Sequence, residues 1–371
     1  MTVVITGATG FLGSRLLRAL LAGGRPVAAL GRDAAGLPLA ARLENALRDC
    51  GADDSELARA GGLLTAVPVD LTRPGLGLEP AEHDRLAGEA EAVWHCAAAL
   101  SLIGTVDTLT PVNVTGTRHL TELADRAPAC SPFLYVSTAY VAGDDTPAGT
   151  DSPLGEAVTG YERTKRQAEG VVQEWAGRRG RTALVLRPSL LATDRPVPEG
   201  AAQQPLSILG AGLRDLVGQA PPLLRGLLLR RRAGVPRVRL RLVGDSASRL
   251  NIVPVEYAVD AMLRLARLPH PPGVTAYPVV HPVDTPAPVL VAAVGELLPG
   301  VELVLRPSVD RPNLVEQQVN PMLENFFGHN WRSRADDGTP LYDALPGLPP
   351  PAPVDGAYVR AALNVRIPLH S

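Results

Sequence analysis

Three glycines spaced three apart, Gly7, Gly10 and Gly13, separate a short apolar run, Thr2–Thr6, from a stretch whose leucines, Leu16, Leu17, Leu20 and Leu21, recur at helical spacing. This turn constrains the fold more than any other feature of the chain. A strand that passes into a helix this way needs residues without a Cβ at three places: where the chain reverses, where backbone approaches a pyrophosphate, and where helix lies against strand. The N–H groups that open the helix then face phosphate oxygens. Gly23-Gly24 ends the helix, and residues 26–30 read as a second strand. The unit is the opening of a dinucleotide-binding fold. Thr6, Gly7, Thr9, Gly10, Phe11, Leu12 and Gly13 are its expected cofactor contacts.

Further strands are expected at 63–69, 92–96, 133–137 and 182–186, with helical patterns between them, notably 113–126 and 161–178. Strands alternating with helices predict an α/β fold: a Rossmann-type, doubly wound parallel sheet. After Pro188 the pattern breaks into Pro-, Gly-, Leu- and Arg-rich sequence with short helices at 206–217 and 223–232. A strand and helix return at 251–254 and 256–268, followed by a strand near 276–280 and a helix at 289–298. The predicted organisation is a cofactor-binding domain over 1–190, completed by about 251–285. A smaller, mostly helical substrate lobe takes 191–250 and 286–371. Pro346-Gly347 and Pro349-Pro350-Pro351 read as a linker before a short tail.

The 371 residues carry a net charge of −2, so nothing global points to nucleic acid. No apolar run reaches the ~18–20 residues of a membrane span, and the first strand begins at once after Met1. Three cysteines without a C-x-x-C argue against a disulfide framework or a zinc site. A cytoplasmic protein without a metal is the expectation.

One count carries more information. Of 36 basic residues, 35 are arginine and one, Lys165, is lysine. In a chain so biased, the surviving lysine marks a place where a planar guanidinium does not serve. Lys165 lies four residues after Tyr161, which puts both on one helix face. Hydride transfer to a carbonyl leaves an anionic oxygen that needs a proton donor. A phenol beside an ammonium and a positively charged nicotinamide is expected to have its pKa lowered for that task. The end of the fifth strand supplies a hydroxyl, Thr138 as first choice and Ser137 as second, to share the oxyanion charge. Tyr161, Lys165 and Thr138 are the expected catalytic residues.

Cofactor choice is read after the second strand. Gly31 stands where a ribose-binding carboxylate would select NAD, and Arg32 follows it. A guanidinium suits a 2′-phosphate, Arg42 adds a second, and Asp33 next door argues the other way. The expectation is NADP(H), with Asp70 and Leu71 near the adenine.

Together these residues resemble the extended short-chain dehydrogenase/reductase superfamily. Within it, the likeness is to thioester reductase domains and male-sterility-type fatty acyl-CoA reductases. The carriers of that likeness are Asp70-Leu71 with Gly75-Leu76-Gly77-Leu78, Trp94-His95-Cys96-Ala97-Ala98, and Asn113-Val114-Thr115-Gly116-Thr117. Gly160 to Lys165 with Ala168-Glu169, Arg187-Pro188-Ser189, and Asn251-Ile252-Val253-Pro254-Val255 complete it. The resemblance implies that Ala97, Pro188 and Ser189 also line the cofactor site. It covers roughly residues 1–300. Cys96 replaces a common asparagine, and Ala192-Thr193-Asp194 lacks a usual glycine.

The resemblance implies NADPH-dependent reduction of an acyl thioester, carried on coenzyme A or a carrier protein, to an aldehyde and onward to an alcohol in some members. The rival reading on the same scaffold is a ketone, aldehyde or nucleotide-sugar enzyme. Arg225, Arg230, Arg231, Arg232, Arg237, Arg239 and Arg241 form a basic stretch that suits an anionic carrier or coenzyme A, or equally a solvated face. Oligomeric state and the role of 300–371 are not readable, and His95, His281 and His329 receive no chemical role.

Overall fold

The computed structural model describes all residues except 35, 102–103, 129–130, 142–158, 199, 231–236, 314, 318–319, 321–337 and 364–371. Seven strands form one parallel sheet: β1 (Thr2–Thr6), β2 (Val27–Gly31), β3 (Leu64–Pro68), β4 (Ala90–His95), β5 (Phe133–Val136), β6 (Thr182–Pro188) and β11 (Gly273–Val279). Their order across the sheet is β11-β6-β5-β4-β1-β2-β3, so the chain reverses its direction of winding between β1 and β4. That reversal opens a crevice at the carboxyl ends of the strands, where open α/β sheets take their ligands. The central strands are apolar on both faces. Val3, Val4, Ile5, Phe133, Leu134, Tyr135 and Val136 are all buried, as sheets covered on both sides require.

Helices α1 (Phe11–Ala22), α2 (Leu39–Asp49) and α3 (Asp54–Ala60) lie on one side of the chain's first half, and α4 (Pro80–Glu89), α5 (Val106–Thr110) and α6 (Gly116–Arg126) follow. A single π turn, Pro111–Thr115, joins α5 to α6. Helix α7 (Gly160–Arg179) begins with a capping box. The Glu162 N–H donates to the Thr159 hydroxyl at 3.2 Å, and the Thr159 N–H donates back to the Glu162 carboxylate at 2.7 Å. Its inward stripe is narrow and small (Ala168, Val172, Ala176), which brings the helix close to the sheet. Gly180 ends it in the left-handed region.

Beyond β6 the chain continues in short pieces: β7 (Leu190–Ala192), α8 (Pro205–Gln219), α9 (Pro222–Leu229), β8 (Val238–Val243), β9 (Arg249–Leu250), β10 (Ile252–Pro254), α10 (Val255–Leu265), β12 (Thr285–Pro286), α11 (Ala287–Leu297) and β13 (Val301–Arg306). Helix α10 belongs to the sheet's own core, where Ala258, Ala261, Met262 and Leu265 meet Leu16 and Leu17 of α1. The lobe has a separate core of Leu206, Leu209 and Leu213 with Leu290, Ala293 and Val359.

Three sequence expectations change here. Strand β8 was not foreseen, because Val238-Arg-Leu-Arg-Leu-Val was read for its arginines. Its period-two alternation buries Leu240 and Leu242 while β8 pairs in parallel with β13. The second lobe helix stops at Leu229 rather than 232. The proline run at 349–351 does not release a loose tail. Leu341, Leu345 and Leu348 pack into the sheet core, and the helix Gly356–Leu363 packs into the lobe. Buried Gln204 holds that helix, donating from Nε2 to the Ala362 and Thr193 carbonyl oxygens at 2.9 Å each.

Candidate active site

The glycine turn is as tight as the spacing predicts. Gly7 has φ of 71°, and a Cβ there would lie 2.6 Å from the Ala97 nitrogen. A Cβ on Gly13 would lie 2.1 Å from the Gly7 carbonyl oxygen. Neither position admits another residue. Gly10 is the N-cap of α1 and supplies no capping side chain, and the first turn of the helix contains no acid. The opening N–H groups therefore have no acceptor from a capping side chain, which fits an anionic pyrophosphate. Phe11 and Leu12 face inward. The Phe11 carbonyl accepts from Arg15 at 2.7 Å, and the Arg15 guanidinium sits 4.1 Å over the Phe11 ring.

Behind the loop runs a directed chain of hydrogen bonds. The Ala97 N–H donates to the Thr6 hydroxyl at 3.2 Å, and that hydroxyl meets His95 Nδ1 at 2.8 Å. His95 Nε2 meets the Thr117 hydroxyl at 2.9 Å, which itself donates to the Asn113 carbonyl at 2.6 Å. The Thr117 proton is thereby used, so His95 donates from Nε2 and accepts at Nδ1. Burial, with Lys165 nearby, lowers its pKa to about 3 and keeps the ring neutral. Thr6 and Ala97 thus brace the cofactor loop from below, and His95 is the pin.

Around the expected ribose position, Arg42 spans two elements. It donates to the Arg32 carbonyl and reaches the Thr9 hydroxyl at 3.4 Å. Asp33, which argued against a phosphate, is engaged elsewhere: its carboxylate accepts from the Leu39 N–H at 2.8 Å and anchors the start of α2. The Leu39 side chain fills the space over Gly31, 2.9 Å from where a Cβ would stand. Asp70 accepts from Thr72 at both nitrogen (2.9 Å) and hydroxyl (2.7 Å). The Leu71 carbonyl meets His119 at 2.8 Å.

Lys165 is buried, with 2% of its surface exposed. Its ammonium donates to the Val136 carbonyl oxygen at 2.5 Å and lies 4.3 Å from the centre of the Tyr135 ring. A guanidinium is too broad for that slot, which accounts for the lone lysine. Burial lowers the Lys165 pKa to about 7, against the pull of Glu169 and Cys96. Tyr161, half-buried one turn before it, departs from expectation. Burial and the Glu162 carboxylate push its pKa up to about 12. The expected lowering does not come from the protein alone, because the cost of desolvating a phenolate dominates.

Thr138 and Ser137 follow directly on β5, both buried. The Thr138 hydroxyl accepts from the Tyr140 N–H at 3.4 Å. The Ser137 N–H extends the strand pairing to the Leu186 carbonyl at 2.7 Å, while its buried hydroxyl has no partner among the described residues.

At the sixth strand, Pro188 is buried and Ser189 is committed to the fold. The Ser189 hydroxyl donates to Asn251 Oδ1 at 2.5 Å, and Asn251 Nδ2 donates to the His281 carbonyl at 2.8 Å. The Ser189 side chain is therefore engaged with Asn251 in this structure. Three of the seven arginines of the basic stretch are engaged within the fold. Arg225 donates to the Gly218 carbonyl at 2.6 Å, Arg239 pairs with Glu302, and Arg241 pairs with buried Glu316 at 2.7 Å. Arg231, Arg232 and His329 lie outside the described residues.

Sequence reasoning assigned no side-chain role to Asn113, Glu169 or Arg187. Asn113 sits in the π turn. Its amide accepts from the Ala99 N–H at 2.7 Å and donates to the Thr164 hydroxyl at 3.0 Å, tying the segment after β4 to α7. Glu169 forms a two-pronged pair with Arg187 of β6, at 3.0 and 2.7 Å. The motifs that contain them were legible, but the partners are 51 and 18 residues away and only the fold joins them.

A family model described as Male sterility protein matches residues 5–262. The chain is 30% identical over 284 residues to the isonitrile lipopeptide synthase of Streptomyces coeruleorubidus, covering 74% of this chain and 17% of that one. It is 29% identical over 230 residues to fatty acyl-CoA reductase 1 of Gallus gallus, covering 53% and 44% of the two chains. The terminal R domain of the myxalamid PKS-NRPS biosynthetic pathway superposes with a TM-score of 0.68 at 25% identity, over 98% of this chain and 89% of that one. The chain thus spans less than half the length of these curated relatives.

Proposed function

The chain belongs to the male-sterility protein family, and we propose that it reduces an acyl thioester to an aldehyde, using Tyr161, Lys165 and Thr138. The observation that carries the reading is the buried Lys165 ammonium, seated on the Val136 carbonyl one turn of helix from Tyr161 and two residues before Thr138. Similarity to the R domain and to the acyl-CoA reductase supports a thioester substrate over other carbonyl compounds.

The glycine loop and the uncapped start of α1 would hold the pyrophosphate of a nicotinamide cofactor, which supplies hydride when bound. NADP(H) is the proposed form. Arg42 lies between Thr9 and the end of β2, Asp33 is turned away to Leu39, and position 31 presents no carboxylate.

Reduction places negative charge on the thioester oxygen. With its pKa near 12, Tyr161 holds its proton at neutral pH and is poised to donate it, which suits the reductive direction. The Thr138 hydroxyl shares the same oxygen. The charged Lys165 stabilises the phenolate that remains and binds ribose hydroxyls. The resulting hemithioacetal releases its thiol, and the carbonyl reforms as an aldehyde. The thiol is coenzyme A or a carrier-protein pantetheine arm.

The test is thiol release. Protein mixed with NADPH and an acyl-CoA should liberate one free thiol per aldehyde formed, with NADPH preferred over NADH. Consumption of NADPH by a ketone or nucleotide sugar, without thiol release from any thioester, would replace this reading with the rival one.

A further inference from the structure

We propose that Glu169, pinned by Arg187, is a positioning residue that keeps the Lys165 side chain charged beside Tyr161. The inference deepens the proposed function and rests on it for its consequence in turnover, though not for the contact itself.

The geometry is as follows. Glu169 lies one turn beyond Lys165 on α7, only 13% exposed, and Arg187 at the end of β6 holds both of its carboxylate oxygens. A two-pronged guanidinium pair fixes the plane and position of a carboxylate as a single contact does not. Among the described residues, the other groups around the lysine are neutral apart from Glu162 at the start of the helix. From β4 come neutral His95 and the Cys96 thiol, whose burial raises its pKa to about 12 and keeps it protonated. From β5 come the Tyr135 ring and the Val136 carbonyl. On α7 itself, Tyr161 is neutral, and the Glu162 carboxylate is engaged with Thr159 in the capping box. Glu169 is the largest influence that opposes the effect of burial on Lys165.

An ammonium buried against a sheet needs a nearby anion if it is to keep its proton. Arg187 offsets part of that negative charge, yet it also prevents the carboxylate from turning out to solvent. The arrangement therefore favours the protonated form of Lys165 more steadily than a mobile glutamate would.

The single lysine makes this directly measurable. Protein grown with lysine 13C-labelled at Cε gives one side-chain resonance, and its pH titration reports Lys165 alone. In Glu169→Gln the titration midpoint should fall by about one pH unit. In Glu169→Asp, which keeps the charge but withdraws it from Arg187, the midpoint should lie between those of Gln and the parent. A midpoint unmoved in the folded variants overturns the proposal. Should Glu169→Gln fail to fold, the Asp variant decides alone. In turnover assays the alkaline limb of the pH profile should move the same way as the resonance, whereas a merely structural role would lower the rate at all pH values alike. The resonance needs no substrate. Failure of the thioester reading, seen as absent thiol release, is thus distinguishable from failure of the Glu169 assignment, seen as a static midpoint.

Discussion

The Lys165 ammonium donates to the Val136 carbonyl oxygen at 2.5 Å, on the last residue of β5. The helix is thereby tied to a particular strand end. Ser137 and Thr138 come next in the chain, and Tyr161 precedes the lysine by one turn, so one hydrogen bond ties the strand end that carries two hydroxyls to the helix that carries the third. Lysine satisfies it with a narrow head on a flexible stem, and arginine would have to displace strand backbone.

This burial is a cost to the folded protein, and its sign is checkable. The folded Lys165 pKa is about 7, whereas an unfolded lysine titrates near ~10.4. Between those values the unfolded chain carries a proton that the folded chain has lost, so stability rises with pH across that window. Lys165→Met removes the group. We expect the variant to be the more stable protein below pH 7, by on the order of a few kcal/mol, with the gap closing toward about pH 10. Urea unfolding at several pH values measures it.

Gly160 starts α7 against the segment that leads into α5. A Cβ there would lie 2.3 Å from the Gly104 carbonyl oxygen and 2.9 Å from the Thr105 carbonyl carbon. These are backbone atoms, so relief requires moving the start of α7 and Tyr161 with it. Gly160→Ala should cost about 1–3 kcal/mol of stability and, through a displacement of about 1 Å at Tyr161, on the order of 100-fold in kcat. Melting curves paired with turnover numbers test both.

Arg42 bridges Thr9 and the Arg32 carbonyl. If it reads a 2′-phosphate, Arg42→Ala raises the Kd for NADPH about tenfold and leaves the weaker NADH affinity nearly unchanged. Titration of the nicotinamide fluorescence with each cofactor gives the ratio. An equal loss for both would make Arg42 a brace for the loop and not a reader of phosphate.

Much of this architecture was legible before any coordinates. Gly7, Gly10 and Gly13 carry their meaning in local spacing, because the constraint on each acts within a few residues. The same holds for Tyr161 and Lys165, one helical turn apart, and for the strand runs that a two-sided sheet makes uniformly apolar. What stayed hidden depends on partners far along the chain. The engagement of Asp33 with Leu39, Ser189 with Asn251, and Arg241 with Glu316 turned three candidate ligands or surface charges into structural contacts. Glu169 and Asn113 were visible as letters of motifs, but their roles follow from which strand ends they meet. The upward push on the Tyr161 pKa within the protein was likewise not legible, because the desolvation comes from the whole fold.

The central claim is that the Tyr161 hydroxyl delivers the proton that reduction of the thioester demands. Tyr161→Phe removes that oxygen and little else. NADPH affinity should remain within about twofold of the parent, while acyl-CoA-dependent thiol release falls by 100-fold or more, on the order of the 10²–10⁴ that proton transfer contributes. Turnover surviving in this variant at close to the parent rate would contradict the account, because the proton would then come from elsewhere.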